Sequence, residues 1–156
     1  MGEHQLAESR KGQAMTIASI LRTKGGEVVT VPASMPVQGV VALLHEHRIG
    51  AVLVVEGDDP VGIVSERDVV KCLHEKGVAI LDAAVHAIMT SPIVTASGVE
   101  SIAEAMEIMT ARRIRHLPVV ERGRLVGIVS IGDLVKRRIE DAEHEAGLLK
   151  EYISAS

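Results

Sequence analysis

A chain of 156 residues with a formal net charge of −4 has the length of one compact domain and no bulk electrostatic reason to bind DNA or RNA. Apolar residues make up 47% of it and aromatic residues only 1%, Tyr152 being the single example. The core must therefore be aliphatic, and stacking of nucleobases on Phe or Trp is excluded. No apolar run approaches the roughly 18–20 residues that span a bilayer. The polar segment from Met1 to Ala14 lacks the apolar centre of a secretory signal. The lone Cys72, among Lys71, His74 and Lys76, is either a packing residue of a helix or a reactive thiol. Together these features point to a cytoplasmic protein with no membrane or nucleic-acid partner.

Residues 1–14 have no period and read as a mobile tail. Thr16 precedes Ile17, Ile20 and Leu21, a short helical turn that ends at Lys24-Gly25-Gly26. Val28–Val31 is β-branched and strand-like. Pro32 to Pro36 turns into a helix whose apolar residues Val37, Val40, Val41 and Leu44 lie on one face. Ala51–Val55 and Val61–Val64 form a hairpin around the turn Glu56-Gly-Asp-Asp-Pro60, and a helix follows from Glu66 to about Lys76, stopping at Gly77. Asp82–Met89 is expected as a second lead-in helix and Ile93-Val-Thr95 as a strand. Ile102, Ala105, Met106 and Met109 make a helical stripe, and His116–Val120 with Leu125–Val129 a hairpin turning at Gly123. The last helix starts near Ile131. Ile139, Ala142, Ala146, Leu149 and Ile153 extend it as a short heptad-like seam, which Gly147 weakens by about 1 kcal/mol.

The chain repeats itself. From Val28 to Lys71 it aligns without a gap on Ile93 to Lys136, 65 residues further on, with 15 of 44 paired positions identical. Such a repeat fixes the architecture and the number of sites: an α/β (α+β) fold of two β-α-β-β-α units sharing one core and facing each other across a pseudo-twofold axis. The expected divisions are a tail at 1–14, a first unit with its lead-in at 15–80, a second at 81–140, and a helical tail at 141–156.

The strongest match is Val61-Gly-Ile-Val-Ser-Glu-Arg-Asp68 against Val126-Gly-Ile-Val-Ser-Ile-Gly-Asp133. A Ser followed by an acid at the start of a helix is a capping box, which stabilises by ~1 kcal/mol and needs no ligand. The same groups also suit a ribose phosphate: helix N–H groups attract an anion, and a carboxylate one turn in accepts from a vicinal diol. The small Gly50 and Ala51 leave room for a planar base. Both readings stand on the residues alone.

These motifs, with Arg48-Ile-Gly-Ala-Val52 and Arg113-Ile-Arg-His-Leu-Pro118, resemble the CBS-domain pair, or Bateman module, of the free-standing bacterial type, over roughly residues 15–140. The resemblance implies a sensor of AMP, ADP or ATP, with NAD(H) or S-adenosylmethionine as further adenosine ligands. It implies that Asp68 and Asp133 hold ribose hydroxyls and that Ser65 and Ser130 lie near phosphates. Ile63 and Ile128 would pack on the base, beside Ala51 in the first site. Met89, Thr90, Pro92 and Ile93 would complete the Asp68 site, and Lys24 and Val28 the Asp133 site.

The two sites differ: Glu66 and Arg67 follow Ser65, whereas Ile131 and Gly132 follow Ser130. Arg115 and His116 replace Gly50 and Ala51. Because the resembled family often places a cationic side chain there to meet phosphates, the resemblance implies that the Asp133 site favours the more highly charged ligands. Arg67 is either a phosphate contact or a solvated helix residue, and His116 either a phosphate contact or a packed strand residue. No catalytic Ser/His/Asp set, phosphate loop or metal-ligand cluster appears, His45 and His47 at a helix end being the nearest approach to one. The expected protein is a non-catalytic regulatory module, a homodimer that signals ligand state to an unidentified protein. The alternative is a structural dimerisation or interaction module without a ligand.

Overall fold

The computed structural model describes residues 15–155, so the expected tail at 1–14 lies outside the described residues. In chain order the elements are α1 (Ile17–Lys24), β1 (Thr30–Pro32), α2 (Val37–His47), β2 (Ala51–Glu56), β3 (Asp59–Ser65), α3 (Glu66–Lys76), α4 (Ile102–Arg112), β4 (His116–Glu121), β5 (Arg124–Ser130) and α5 (Ile131–Ala155). They fall into two compact units, one of residues 27–94 and one of residues 15–26 with 95–155.

The 27–94 unit carries a three-stranded sheet of order β1-β2-β3, in which β1 runs parallel to β2 and β3 antiparallel to it. Its core is wholly aliphatic: Val37, Val40 and Leu44 of α2 meet Val52, Val54, Val64, Val69, Val85 and Ile88. The expected helical face holds except for Val41, which lies at the stripe's margin and is 38% exposed. Strand β3 begins at Asp59, two residues before the expected Val61. Pro60 is accommodated beside a bulge at Val54/Val55, where the ladder needs no amide from it.

The second unit reproduces this plan with two departures. Its hairpin, β4 with β5, has the same bulge, at Val119/Val120. The expected strand at Ile93-Val-Thr95 is not formed; one parallel bridge, Ala96 to Val119, remains of it. Beyond that bridge the Glu121 carboxylate accepts from the Ser97 hydroxyl at 3.1 Å and from the Gly98 amide. The last helix is also far longer than its counterpart, running unbroken through Gly147 to Ala155. On it Ile139, Leu149 and Ile153 are 53%, 59% and 62% exposed.

Each hairpin unit packs a lead-in that chain order places beside the other repeat. In the 27–94 unit the Val37 amide donates to Ala83 O, Val85 to Met35 O and His86 to Ala33 O. In the other, Ile102 donates to Met15 O, Ile17 to Glu100 O and Ala18 to Gly98 O. The lead-in is thus duplicated too, 68 residues apart instead of 65. Its second copy forms 3₁₀ turns at Val78–Asp82 and Val85–Ala87 where one helix over Asp82–Met89 was expected. Ala83 and Ala84 are held extended by the pairing with Met35, Pro36 and Val37, which interrupts the helix.

Candidate functional site

In both units the second hairpin strand runs into a helix through Ser-x-x-Asp, and the two junctions are bonded alike. The Ser65 amide donates to Asp68 Oδ2 at 2.9 Å and the Asp68 amide to Ser65 Oγ at 3.2 Å. The Ser130 amide donates to Asp133 Oδ2 at 2.8 Å and the Asp133 amide to Ser130 Oγ at 3.1 Å. The first helical amide is also consumed: Glu66 donates to the Gly50 carbonyl at 3.0 Å and Ile131 to that of Arg115 at 2.9 Å. Among the described residues this leaves no acceptor for the amides of Arg67 and Gly132, and no donor to Oδ1 of either aspartate. Across the hairpins Ala51 faces Ser65, and His116 faces Ser130.

A reciprocal cap does not by itself identify a ligand site. The Ser101–Glu104 pair at the start of α4 has the same geometry, with bonds of 3.1 and 3.0 Å, on an exposed helix end. The two aspartate junctions differ from it because each lies at the exit of a strand crossed by a lead-in. A methyl group on Gly62 would collide with the Met89 side chain, and one on Gly127 would stand 2.6 Å from Leu21 Cδ2. Any side chain in place of either glycine would press on the segment lying over it. Leu21 and Met89 are partners that period and spacing did not single out for this role, although each occupies the same place in the duplicated lead-in.

Beyond this shared frame the sites diverge. In the 27–94 unit Ile63 and Thr90 exchange backbone bonds, amide to carbonyl, at 3.1 and 2.9 Å. In the other unit the Lys24 ammonium donates to Ile128 O at 2.9 Å and to Asp133 Oδ2 at 2.6 Å, the ion pair being part-exposed at 37% for Lys24 and 25% for Asp133. Burial pushes the Asp133 carboxyl up, but the bonds from Lys24 and the Ser130 amide, with the charge of Lys24, outweigh it. They hold Asp133 below the ordinary carboxylate range.

The structure thus gathers Ile63, Ser65, Arg67, Asp68, Ala51, Met89 and Thr90 along β3 and its exit, and Lys24, Arg115, His116, Ile128, Ser130, Ile131 and Asp133 around β5. Pro92 and Ile93 follow Thr90 in irregular chain, after a cis Ser91–Pro92 peptide, and make no hydrogen bond to Asp68. Val28, expected beside Asp133, belongs to the 27–94 unit, next to Val29, whose carbonyl accepts from the Leu53 amide. Glu66 lines an open groove with Leu44, His45, Glu46 and Arg48. Among the described residues no group of three or more His, Cys, Asp or Glu could hold a metal ion, and no helix is long and apolar enough to cross a membrane.

The family model "CBS domain" matches residues 17–75 and 85–140. The crystal structure of a CBS-domain containing protein from Agrobacterium tumefaciens is 43% identical, covers 80% of this chain and 94% of that one, and superposes with a TM-score of 0.78. A CBS domain protein from Pyrobaculum aerophilum, solved complexed with AMP, is 29% identical over 76% of this chain and 89% of its own, with a TM-score of 0.67. A mitochondrial CBS domain-containing protein of Arabidopsis thaliana is 29% identical over 150 residues, 90% of this chain and 73% of that protein.

Proposed function

The chain belongs to the CBS domain family as a tandem pair of its units, and from that premise we propose that it binds adenine nucleotides without turning them over and passes its ligand state to a partner protein. The observation that carries this reading is the pair of aspartate junctions. Each spends one carboxylate oxygen on its helix cap and keeps the other, with one helix amide, for an outside group. A diol donates hydrogen bonds and a phosphate accepts them, so the two leftovers match the two halves of a ribose phosphate. The AMP complex of the Pyrobaculum aerophilum relative supports the choice of adenosine. Of the expected ligands, AMP, ADP and ATP fit this donor and acceptor set directly; NAD(H) and S-adenosylmethionine share its adenosine half.

Asp68 and Asp133 hold the sugar hydroxyls, and Ile63 and Ile128 offer aliphatic walls to the base. Signalling requires that the ligand bind one arrangement of the chain better than another. The exposed apolar positions Ile139, Leu149 and Ile153 of α5 supply a surface for a second copy, and the reading includes a homodimer.

The capping geometry at Ser101–Glu104 favours a second reading, an interaction module in which all three boxes only finish helices. Thermal unfolding with a panel of adenine compounds separates the two. Ligand at 100 times its Kd stabilises by about 2.7 kcal/mol, which for a chain of this size raises Tm by roughly 5–11 °C. An unchanged Tm with every compound selects the module. Mass spectrometry of ligand recovered after long incubation checks that it is intact.

A further inference from the structure

We propose that Lys24 is an internal counter-ion of the Asp133 site: without ligand it occupies the carboxylate that receives the ribose, and on binding it passes to the ligand's 5′-phosphate, so that this site prefers phosphorylated nucleosides more strongly than the Asp68 site does. The inference rests on the nucleotide reading above and adds to it a specificity-determining residue.

The geometry behind it is local. Lys24 is the last residue of α1, and its ammonium bridges Asp133 Oδ2 and the carbonyl of Ile128, the residue expected to meet the base. The first site has no such cation. The lead-in position corresponding to Lys24 is Pro92, Asp68 has no ion pair among the described residues, and the carbonyl of Ile63 is taken by the Thr90 amide. A vicinal diol has two hydroxyls: one takes the spare Oδ1 of either aspartate, and the second, reaching for Oδ2, meets the Lys24 ammonium at Asp133 but no charged donor at Asp68. An ammonium released from a carboxylate seeks another anion, and a 5′-phosphate is the one its ligand carries.

Adenosine and AMP both displace Lys24, but only AMP re-engages it. Two measurable consequences follow. The cost of breaking a part-exposed ion pair corresponds to a factor of up to about five in affinity. The regained charge-assisted bond to phosphate corresponds to roughly tenfold or more. Because the displacement cost is common to both ligands, it cancels in the ratio of their affinities, which reads the phosphate contact alone. The affinity for adenosine itself reads the displacement.

The test is a titration of the full chain and of Lys24→Met and Lys24→Arg with adenosine and with AMP, followed by amide NMR. Gly132 reports the Asp133 site and Arg67 the Asp68 site. In Lys24→Met the proposal expects adenosine to bind up to about fivefold tighter at Gly132 and the AMP-to-adenosine preference there to fall about tenfold. Lys24→Arg should keep the preference, and the Arg67 site should be unaltered in both variants. The carboxyl of Asp133, followed by carbon-13 in the ligand-free protein, should titrate at higher pH in Lys24→Met. An unmoved Asp133 titration, or equal changes for the two ligands at Gly132, overturns the role of Lys24 while leaving nucleotide binding in place. Failure of every adenine compound to bind at either amide overturns the nucleotide reading and the handover with it.

Discussion

Replacing Gly127 by alanine places a methyl group 2.6 and 2.9 Å from the two δ-carbons of Leu21 and 3.3 Å from its γ-carbon. Carbon atoms pack best at about 3.5–4.0 Å, so the Leu21 side chain must turn aside, or helix α1 or strand β5 must shift. Neither element is free to shift. Ile17 and Ile20 of α1 are 0% and 5% exposed, and its first amides are bonded to the carbonyls of Glu100 and Gly98. Overpacking of this kind costs about 1–3 kcal/mol, or a Tm lowered by roughly 2–12 °C. Urea unfolding of Gly127→Ala, Leu21→Ala and the double variant isolates the cause. The alanine at 127 should cost less than about 0.5 kcal/mol once Leu21 is shortened, a coupling of about 0.5 kcal/mol or more. Gly62→Ala should be milder than Gly127→Ala, because Met89 is unbranched and can rotate away. An equal cost of Gly127→Ala in both backgrounds would refute the assignment of Leu21 as the reason for the glycine.

Ser101→Ala should lower stability by ~1 kcal/mol in urea and leave nucleotide affinity unchanged, whereas Asp68→Ala should lose both; a loss of binding in Ser101→Ala would contradict the division between the boxes. Arg113 closes helix α4 at φ 55° and ψ 43°, a conformation that costs a side chain about 1–2 kcal/mol. Arg113→Gly should therefore raise the urea midpoint by the equivalent of roughly 0.5 kcal/mol after the extra freedom of glycine in the unfolded chain is subtracted. A lowered midpoint would mean that the arginine side chain contributes a contact. The depressed Asp133 carboxyl gives a pH signature. Its stabilisation is present in full above the ordinary carboxylate pKa and is lost as pH falls through the lower folded value. Lys24→Met should consequently be less stable than the parent near pH 7, by at most about 1 kcal/mol for so exposed a pair, and equal to it in strong acid. A difference that persists in strong acid would assign the loss to packing of the lysine stem.

The helices and hairpins were legible because their signals are local. The stripe at Val37, Val40 and Leu44 and its copy at Ile102, Ala105 and Met109 are buried as their spacing requires, and both hairpins form around the glycines. What escaped depends on contacts far apart in sequence. The lead-in repeat is offset by 68 residues and shares little identity, so it is visible only once Ile17 and Val85 are seen donating to equivalent carbonyls. Ile93-Val-Thr95 has the composition of a strand, yet only the following Ala96 pairs with the hairpin, and composition does not show where pairing stops. The pairing of Lys24 with Asp133, 109 residues apart, has no signature in periodicity and was legible only through the family resemblance. The Ser-x-x-Asp boxes were readable as caps, while their difference from Ser101–Glu104 lies in the lead-in that crosses the strand before them.

The most direct test compares AMP with its 2′-deoxy and 3′-deoxy analogues by calorimetric titration of the full chain. If the spare oxygens of Asp68 and Asp133 take the sugar hydroxyls, each deletion should weaken binding about tenfold or more, as loss of a charge-assisted hydrogen bond implies. Equal affinities for AMP and both deoxy forms would contradict the account and return the two aspartates to helix capping alone.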